Sequence, residues 1–266
     1  MIKLGTYAIG GSDLHPSEKL RIIKSAGFDL ICLSYWTLAN PEASKISPEL
    51  CAKLGLEVDH LHLTGNGTHH LWEQGEQGDA IAERFCAEIV GCREMGVKTG
   101  VLHAIYGKRP ETPAGSVGLA RFEQIVECAE KNGVLLALEN SVHDDYLDFL
   151  FENIKSPNLL FCYDTGHHNA FAHDRDFLGS YGARLGATHL HDNDGTKDQH
   201  MIPFSGSFDW EQAARGMAKC ANTCERICSE IACDAYLDLP YEQTYAMLFE
   251  AMSRLAGMIE AARADA

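Results

Sequence analysis

Eight short, β-rich apolar runs alternate along this chain with longer amphipathic stretches, and this alternation limits its fold more than any other feature. Alternating strands and helices are typical of parallel sheets, in which each helix carries the chain back to the start of the next strand. Eight such units in 266 residues predict one domain, residues 1–266, with the α/β architecture of a single TIM (β/α)8 barrel. The predicted strands are Leu4–Ile9, Asp29–Ser34, Glu57–Leu63, Thr99–Ala104, Val134–Glu139, Leu159–Asp164, Ala187–Asp192 and Arg226–Ile231.

An open, doubly wound sheet is the alternative architecture for such an alternation. It is disfavoured because no Gly-x-Gly-x-x-Gly segment follows an early strand, and Gly5, Gly10 and Gly11 do not have that spacing. The sequence therefore predicts a closed barrel.

The charge balance narrows the class of partner. Lys and Arg number 22 against 38 Asp and Glu, which gives a formal net charge of −16. A charge of this sign repels phosphate backbones, and no basic stripe is present to overcome it. We therefore expect a small-molecule substrate and no nucleic-acid partner.

The chain start and the cysteines indicate the compartment. Residues 1–5 carry no basic segment followed by a long apolar run, so we expect neither secretion nor a membrane span, and a cytoplasmic protein. The ten cysteines are interpreted as reduced, mostly buried thiols. Their densest group lacks the C-x2-C pairs of structural zinc sites; its members are Cys220, Cys224, Cys228 and Cys233.

Acidic residues and histidines stand at the ends of six consecutive predicted strands. In TIM barrels the carboxyl ends of the strands and the loops after them form the active-site face. A single histidine or carboxylate there is often only hydrogen-bonded or a helix cap, but such residues at six strand ends together predict a functional site. The residues at these six strand ends are His60, His62, His103, Glu139, Asp164, His167, His189, His191, Asp192 and Glu230.

Three of these residues are carboxylates that follow apolar runs. Glu139, Asp164 and Glu230 would be buried near one another at the barrel rim, where they would repel each other strongly. A divalent cation removes this repulsion, and carboxylates with a neutral imidazole suit Mn²⁺, Mg²⁺, Co²⁺ or Zn²⁺.

These strand ends resemble those of the xylose isomerase-like TIM-barrel superfamily, which includes sugar phosphate isomerases and epimerases as well as endonuclease IV of AP endonuclease family 2. The resemblance runs over nearly the whole chain. Its most specific segments are LALEN with Glu139, YDTGH with Asp164 and His167, HLHDNDG from His189, DQH with Asp198 and His200, and SEI with Glu230.

The resemblance implies a ligand set for one divalent metal ion: Glu139, Asp164, a strand-7 histidine and Glu230. The family's His-x-x-acid spacing fits His189, but it also fits His191. We prefer His189 because residues 192–195 then occupy the family's loop position. His167 is implied to contact substrate oxygens.

The resemblance to endonuclease IV implies further metal positions, so a trinuclear site stays open. His62 and His103 would share one ion with Glu139, and His167, Asp198 and His200 would hold another.

The implied activity is that of a metal-dependent sugar or sugar phosphate isomerase or epimerase. Glu139 and Glu230 would be the catalytic base and acid, and the ion would stabilise an enediolate. Alternatives are a dehydratase of a cyclic polyol or acid, an endonuclease IV-like phosphodiesterase, and a metal- or sugar-binding protein without catalysis. Arg109 could contact an acidic substrate, and a homo-oligomer is a further expectation because barrels of this family often pair.

Overall fold

The strands of this computed structural model, which describes residues 1–7, 14–35, 46–220, 225–232, 236 and 238–265, all pair in parallel. They are β1 (Lys3–Tyr7), β2 (Leu30–Ser34), β3 (Glu57–His62), β4 (Thr99–His103), β5 (Leu135–Glu139), β6 (Leu159–Asp164), β7 (Leu185–His189) and β8 (Arg226–Ser229). Their order in the sheet is β7-β6-β5-β4-β3-β2-β1-β8.

The two outermost strands of this order, β7 and β8, meet and close the barrel. Leu190, just after β7, forms a parallel bridge with Ser229, and the Leu190 amide donates to the Cys228 carbonyl over 3.0 Å. The Thr188 hydroxyl adds side-chain bonds to the Cys228 backbone. Eight parallel strands joined by helices confirm the predicted TIM barrel.

Helices connect the strands and have recognisable ends. Helix α1 has proline at its first position, and its last turn is closed by Gly27, whose φ of 117° suits glycine. The helices are α1 (Pro16–Ala26), α2 (Pro48–Lys53), α3 (Glu76–Glu94), α4 (Ser116–Asn132), α5 (Asp144–Asn153), α6 (Thr165–Phe171), α7 (Phe177–Tyr181), α8 (Trp210–Ala218) and α9 (Tyr241–Ala264), with 3-10 turns at Thr68–Trp72 and Gly182–Arg184.

The main core lies between the strands and the surrounding helices, where side chains such as Phe85 of α3 and Phe122 of α4 are fully buried. Smaller clusters of alternate strand residues lie apart from it and fill the inside of the barrel. One contains Tyr7, Leu30, Cys32 and Cys228, and the other contains Val101, Ala137, Cys162 and Ala187.

The prediction for the seventh strand was wrong at both ends. β7 spans Leu185–His189 rather than Ala187–Asp192. The chain leaves the barrel ladder after Leu190 because Asp192 exchanges two 2.8 Å backbone hydrogen bonds with Met201 in an antiparallel bridge. The pairing of Asp192 with Met201 therefore holds the loop that carries His191 and Asp198.

Other boundaries shift by one or two residues. The predicted first strand ends at Ile9, which lies outside the described residues, as do Cys224 and Cys233. Every cysteine that the structure describes is a free thiol. Within the described ranges, no helix combines the length and the apolar character that crossing a membrane requires.

Candidate metal centre

Four side chains from consecutive strands converge at the carboxyl ends of β5 to β8. Each of Glu139, Asp164, His189 and Glu230 offers a ligand atom, and these atoms all lie within 4.8 Å of one another. We call these four residues the rim centre. The parallel register brings them together, because Asp164 and His189 occupy directly opposite positions on β6 and β7.

His189 occupies the middle of the rim centre. Its Nδ1 atom lies 3.0 Å from Glu139 Oε1 and 2.9 Å from Glu230 Oε2. The Glu139 side chain is 1% exposed and that of Glu230 16%, so Glu230 is the carboxylate nearer to solvent.

Two buried atoms of the rim centre have short contacts but no hydrogen bond. Neither His189 Nδ1 nor Glu139 Oε2 has a partner of acceptable geometry among the described residues. Orphaned buried polar atoms are rare because each costs about 1–3 kcal/mol. Ligand atoms that lie within 4.8 Å of one another, two of them buried without a hydrogen-bond partner, are a donor set that fits a divalent metal ion.

Glu139 also faces two histidines, from β3 and β4. His62 Nε2 lies 3.2 Å and His103 Nε2 3.4 Å from Glu139 Oε2. Burial lowers the pKa of His103 to about 4, so its imidazole is neutral near pH 7 and can bind a metal. Both histidines that the resemblance implies thus contact Glu139, but the group whose ligand atoms all lie within 4.8 Å of one another is His62, Glu139 and His189, without His103.

A second group of donors stands on the loop after β7. Ligand atoms of His191, Asp198 and His200 lie within 4.8 Å of one another. His167 Nε2 joins them, 3.3 Å from Asp198 Oδ2. His191 Nε2 lies 3.1 Å from Asp164 Oδ2, so it connects this group to the rim centre.

Three of the histidines share one pattern of contacts. The Nδ1 atoms of His62, His167 and His200 lie 2.7–2.8 Å from backbone carbonyl oxygens, which accept from an Nδ1–H group. Each Nε2 atom then faces a carboxylate, where it needs either a proton or a metal ion. Metal-binding histidines typically donate their other ring N–H to such a carbonyl.

The charges of these groups follow from their neighbours. Burial raises the pKa of Glu139, but His103 and His189 outweigh it and hold this pKa well below its usual range. The same balance, with His189 as the main partner, lowers the pKa of Glu230. Both glutamates are therefore ionised near neutral pH and available as ligands or proton acceptors.

Hydrogen bonds hold Asp164, the carboxylate residue at the end of β6, in place. Asn140 and Asp164 exchange two 2.8 Å hydrogen bonds, from Asn140 Nδ2 to the Asp164 carbonyl and from the Asp164 amide to Asn140 Oδ1. Asp164 Oδ1 also accepts from the His167 amide and caps α6. Gly166 leaves room for His191, because a Cβ atom at position 166 would lie 1.8 Å from His191 Cε1.

Not every residue singled out in the sequence joins the cluster. Asp192 accepts hydrogen bonds from the indole of Trp210 and the amide of Phe208, so it anchors the loop rather than facing the rim centre. Arg109 is paired with Asp145.

The sequence interpretation named His60 only as a strand-end histidine, and it missed Tyr7, Asp59 and the buried contacts that these residues make around His189. Tyr7 Oη lies 3.1 Å and His60 Nε2 3.0 Å from His189 Nε2. His60 Nδ1 lies 2.8 Å from Asp59 Oδ2. The signal was hidden because Asp59 and His60 are adjacent in β3, where a regular strand would send them to opposite faces.

Comparisons with known proteins agree with this architecture. The family model described as xylose isomerase-like TIM barrel matches residues 20–221. The uncharacterized protein y4fM of Sinorhizobium fredii is 38% identical over 98 residues, which span 34% of this chain and only 31% of that relative.

Solved structures share the fold at low sequence identity. D-psicose 3-epimerase from Clostridium cellulolyticum H10, crystallised with D-tagatose, superposes with a TM-score of 0.74 at 14% identity, over 96% of this chain and 99% of that one. The IolI protein with a bound zinc atom gives a TM-score of 0.75 at 16% identity, over 96% and 98% of the two chains.

Proposed function

The chain belongs to the xylose isomerase-like TIM-barrel family, and from this premise we propose that it is a divalent-metal-dependent sugar isomerase or epimerase. The observation that carries the proposal is the rim centre, in which Glu139 and Glu230 flank His189 and orphaned buried atoms remain. Similar folds include an epimerase crystallised with a ketose and a protein with bound zinc, which supports this chemistry.

Glu139, Asp164, His189 and Glu230 would hold the ion. A divalent cation in this position supplies Lewis acidity to the carbonyl and hydroxyl oxygens of a sugar. The remaining catalytic task is proton transfer at the carbon beside the carbonyl.

Glu139 and Glu230 are placed for that proton transfer. Both contact His189 Nδ1, and neighbouring imidazoles keep both ionised. One carboxylate would take the proton from carbon and later release it to water. The other, after taking up a proton from water, would deliver it to the opposite face of that carbon, or to the neighbouring carbon while a hydroxyl proton moves to the former carbonyl oxygen. The histidines around Glu139 orient its carboxylate and exclude water from that side of the site.

The test is proton exchange at carbon by the metal-loaded protein. Ketoses, aldoses and their phosphates are incubated in D₂O with Mn²⁺, Mg²⁺, Co²⁺ or Zn²⁺, and deuterium at the carbon beside the carbonyl is measured by NMR. We expect incorporation and isomerisation of at least one sugar. Glu139→Gln and Glu230→Gln should each lower turnover by about 10²–10⁴-fold, the usual range for a general acid or base.

The matched control is Glu123→Gln, an exposed glutamate of α4, which should behave like wild type. Near-wild-type turnover by both metal-saturated rim variants would contradict the mechanism.

A metal-dependent phosphodiesterase is the second candidate, because the group at His191, Asp198 and His200 offers another ion position. The net charge of −16 argues against a nucleic-acid substrate. Salt-sensitive binding and cleavage of a duplex with an abasic site would favour this candidate over the isomerase.

A further inference from the structure

We propose that His60, held by Asp59, is a positioning residue that sets the tautomer and orientation of His189 so that Nδ1 faces the metal ion. This proposal rests on the metal centre of the proposed function, but not on any particular sugar substrate.

An irregularity in β3 brings Asp59 and His60 into the barrel together. The register pairs Ile31 with Val58 and Leu33 with Leu61, so one step on β2 spans two residues and the same step on β3 spans three. Such a bulge turns neighbouring side chains toward the same side. Both are buried, with exposures of 9% for Asp59 and 0% for His60.

Their contacts cross the inside of the barrel. Arg226 of β8 donates to Asp59 Oδ1 over 2.8 Å, although β3 and β8 are separated by β2 and β1 in the sheet. His60 reaches His189 of β7, again across the interior, with 3.0 Å between their Nε2 atoms. A continuous path therefore runs from Arg226 through Asp59 and His60 to the rim centre.

Donor and acceptor rules give this path one direction when a cation is bound. Arg226 can only donate, so Asp59 is an ionised acceptor and His60 Nδ1 carries a hydrogen. A cation on His189 Nδ1 requires the hydrogen of His189 on Nε2. His60 Nε2 must then accept that hydrogen bond. Tyr7 Oη lies beside both atoms, 3.1 Å from His189 Nε2 and 3.3 Å from His60 Nε2.

The contact between the two Nε2 atoms also has a reversed form. A His60 ring with hydrogens on both nitrogens would donate from Nε2 to His189. A cation on His189 Nδ1 is incompatible with that arrangement, since two N–H groups would face each other.

The same region contains a competing set of donors. Cys32, Asp59, His60 and Cys228 offer ligand atoms within 4.8 Å of one another, and we call them the interior cluster. An ion bound there through His60 Nδ1 would place a hydrogen on His60 Nε2, facing the N–H of metal-bound His189. The side-chain nitrogen and oxygen atoms of Asp59 and His60 are also not among the unpartnered buried atoms of the described chain. The geometry therefore favours support of the rim centre over a second ion.

The experiment measures Zn²⁺ affinity of metal-stripped protein by competition with a chromophoric chelator. We expect His60→Leu to weaken binding by about 10–100-fold, the range for loss of an outer hydrogen-bond partner of a metal ligand. His60→Gln keeps an acceptor for His189 and should recover most of the affinity. Cys228→Ala, from the same interior layer, should change affinity less than about threefold.

A second measurement needs no variant. Long-range ¹H–¹⁵N NMR of the Zn²⁺-loaded wild-type protein should show His60 protonated on Nδ1 only. Protonation on Nε2, or unchanged Zn²⁺ affinity in folded His60→Leu, would overturn the proposal. A thiolate-to-cobalt absorption band in the Co²⁺ protein that disappears in Cys32→Ala would do so too, because it would place an ion in the interior cluster.

These outcomes separate the two proposals. If Glu139→Gln also binds Zn²⁺ like wild type, the rim centre itself is refuted. If Glu139→Gln loses the ion while His60→Leu keeps it at full affinity, only the positioning role of His60 fails.

Discussion

The rim centre and the interior cluster contain similar residue types, but their buried polar atoms differ in whether they have hydrogen-bond partners. At the rim, His189 Nδ1 and Glu139 Oε2 are crowded by charged atoms yet have no hydrogen-bond partner in the described chain. In the interior, Asp59 receives hydrogen bonds from Arg226 and His60. Metal-ligand residue types alone therefore do not identify a metal site, whereas unsatisfied buried atoms distinguish the two regions.

The largest expected difference comes from the same substitution made in each region. Asp164→Asn changes one of the four proposed ligands, so we expect it to weaken ion binding by more than the 10–100-fold expected when a hydrogen-bond partner of a ligand is lost. Without metal it should melt no lower than wild type, because one of three converging carboxylates is gone and asparagine still caps α6.

Asp59→Asn should show the opposite behaviour, with a larger loss of stability and a smaller loss of ion affinity than Asp164→Asn. It leaves Arg226 without its buried carboxylate, at a cost of about 1–3 kcal/mol, between the ranges for exposed and buried pairs. Its loss of ion affinity should be smaller than that of Asp164→Asn. Thermal melting with and without Zn²⁺ measures both effects, and equal behaviour of the two variants would remove the distinction between the regions.

A glycine in β1 tests the packing of the interior alone. A Cβ atom at Gly5 would lie 2.4 Å from Cys228 Sγ and 2.8 Å from Leu30 Cβ. We expect Gly5→Ala to lower the free energy of unfolding by about 1–3 kcal/mol, as overpacked cores do, with one or more ions still bound at the rim.

Gly257→Ala is the control for this substitution, since position 257 lies in α9 with no atom within 4 Å of the added Cβ. It should raise stability by up to about 1 kcal/mol through helix propensity. Urea denaturation measures both variants, and a wild-type midpoint for Gly5→Ala would show that the interior is loosely packed.

A buried carboxyl outside both regions should change stability only as a function of pH. Burial raises the pKa of Asp144 to about 6, in contrast to the lowered pKa values of Glu139 and Glu230. Because the folded state binds this proton more tightly, the stability it contributes is present below pH 4 and is lost as pH rises through about 6.

Asp144→Asn keeps the acceptor for the Ser141 amide and has no charge to bury. It should be more stable than wild type by about 1–3 kcal/mol at pH 7 and similar to it at pH 4, since the pKa is raised from 3.8 to about 6 and one pKa unit corresponds to about 1.4 kcal/mol. Urea midpoints at pH 4, 5, 6 and 7 measure this trend. A difference that does not vary with pH would contradict it.

Much of the fold could be predicted because alternation of strands and helices is a local pattern. The predicted sixth strand, Leu159–Asp164, has the same bounds in the structure, and the carboxylate at its end lies in the rim centre. The end of β7 could not be predicted, because it depends on pairing between Asp192 and Met201.

The site was accessible from sequence where its residues end strands or lie in segments shared with the family. Asp59 was not identified, and the contact of His60 with His189 was not predicted, because a bulge in β3, set by pairing with β2, turns both Asp59 and His60 inward. The roles of His189 and His191 also depend on which carboxylates they face, and these contacts arise only when the barrel closes.

Elemental analysis of metal-stripped protein reloaded with Zn²⁺ tests the central claim most directly, when it is made on two double variants. We predict that Cys32→Ser/Cys228→Ser keeps the number of ions per chain found in wild type, and that Glu139→Gln/Glu230→Gln loses at least one. Loss of an ion from the cysteine variant, or a full complement in the glutamate variant, would contradict the assignment of the metal to the rim centre.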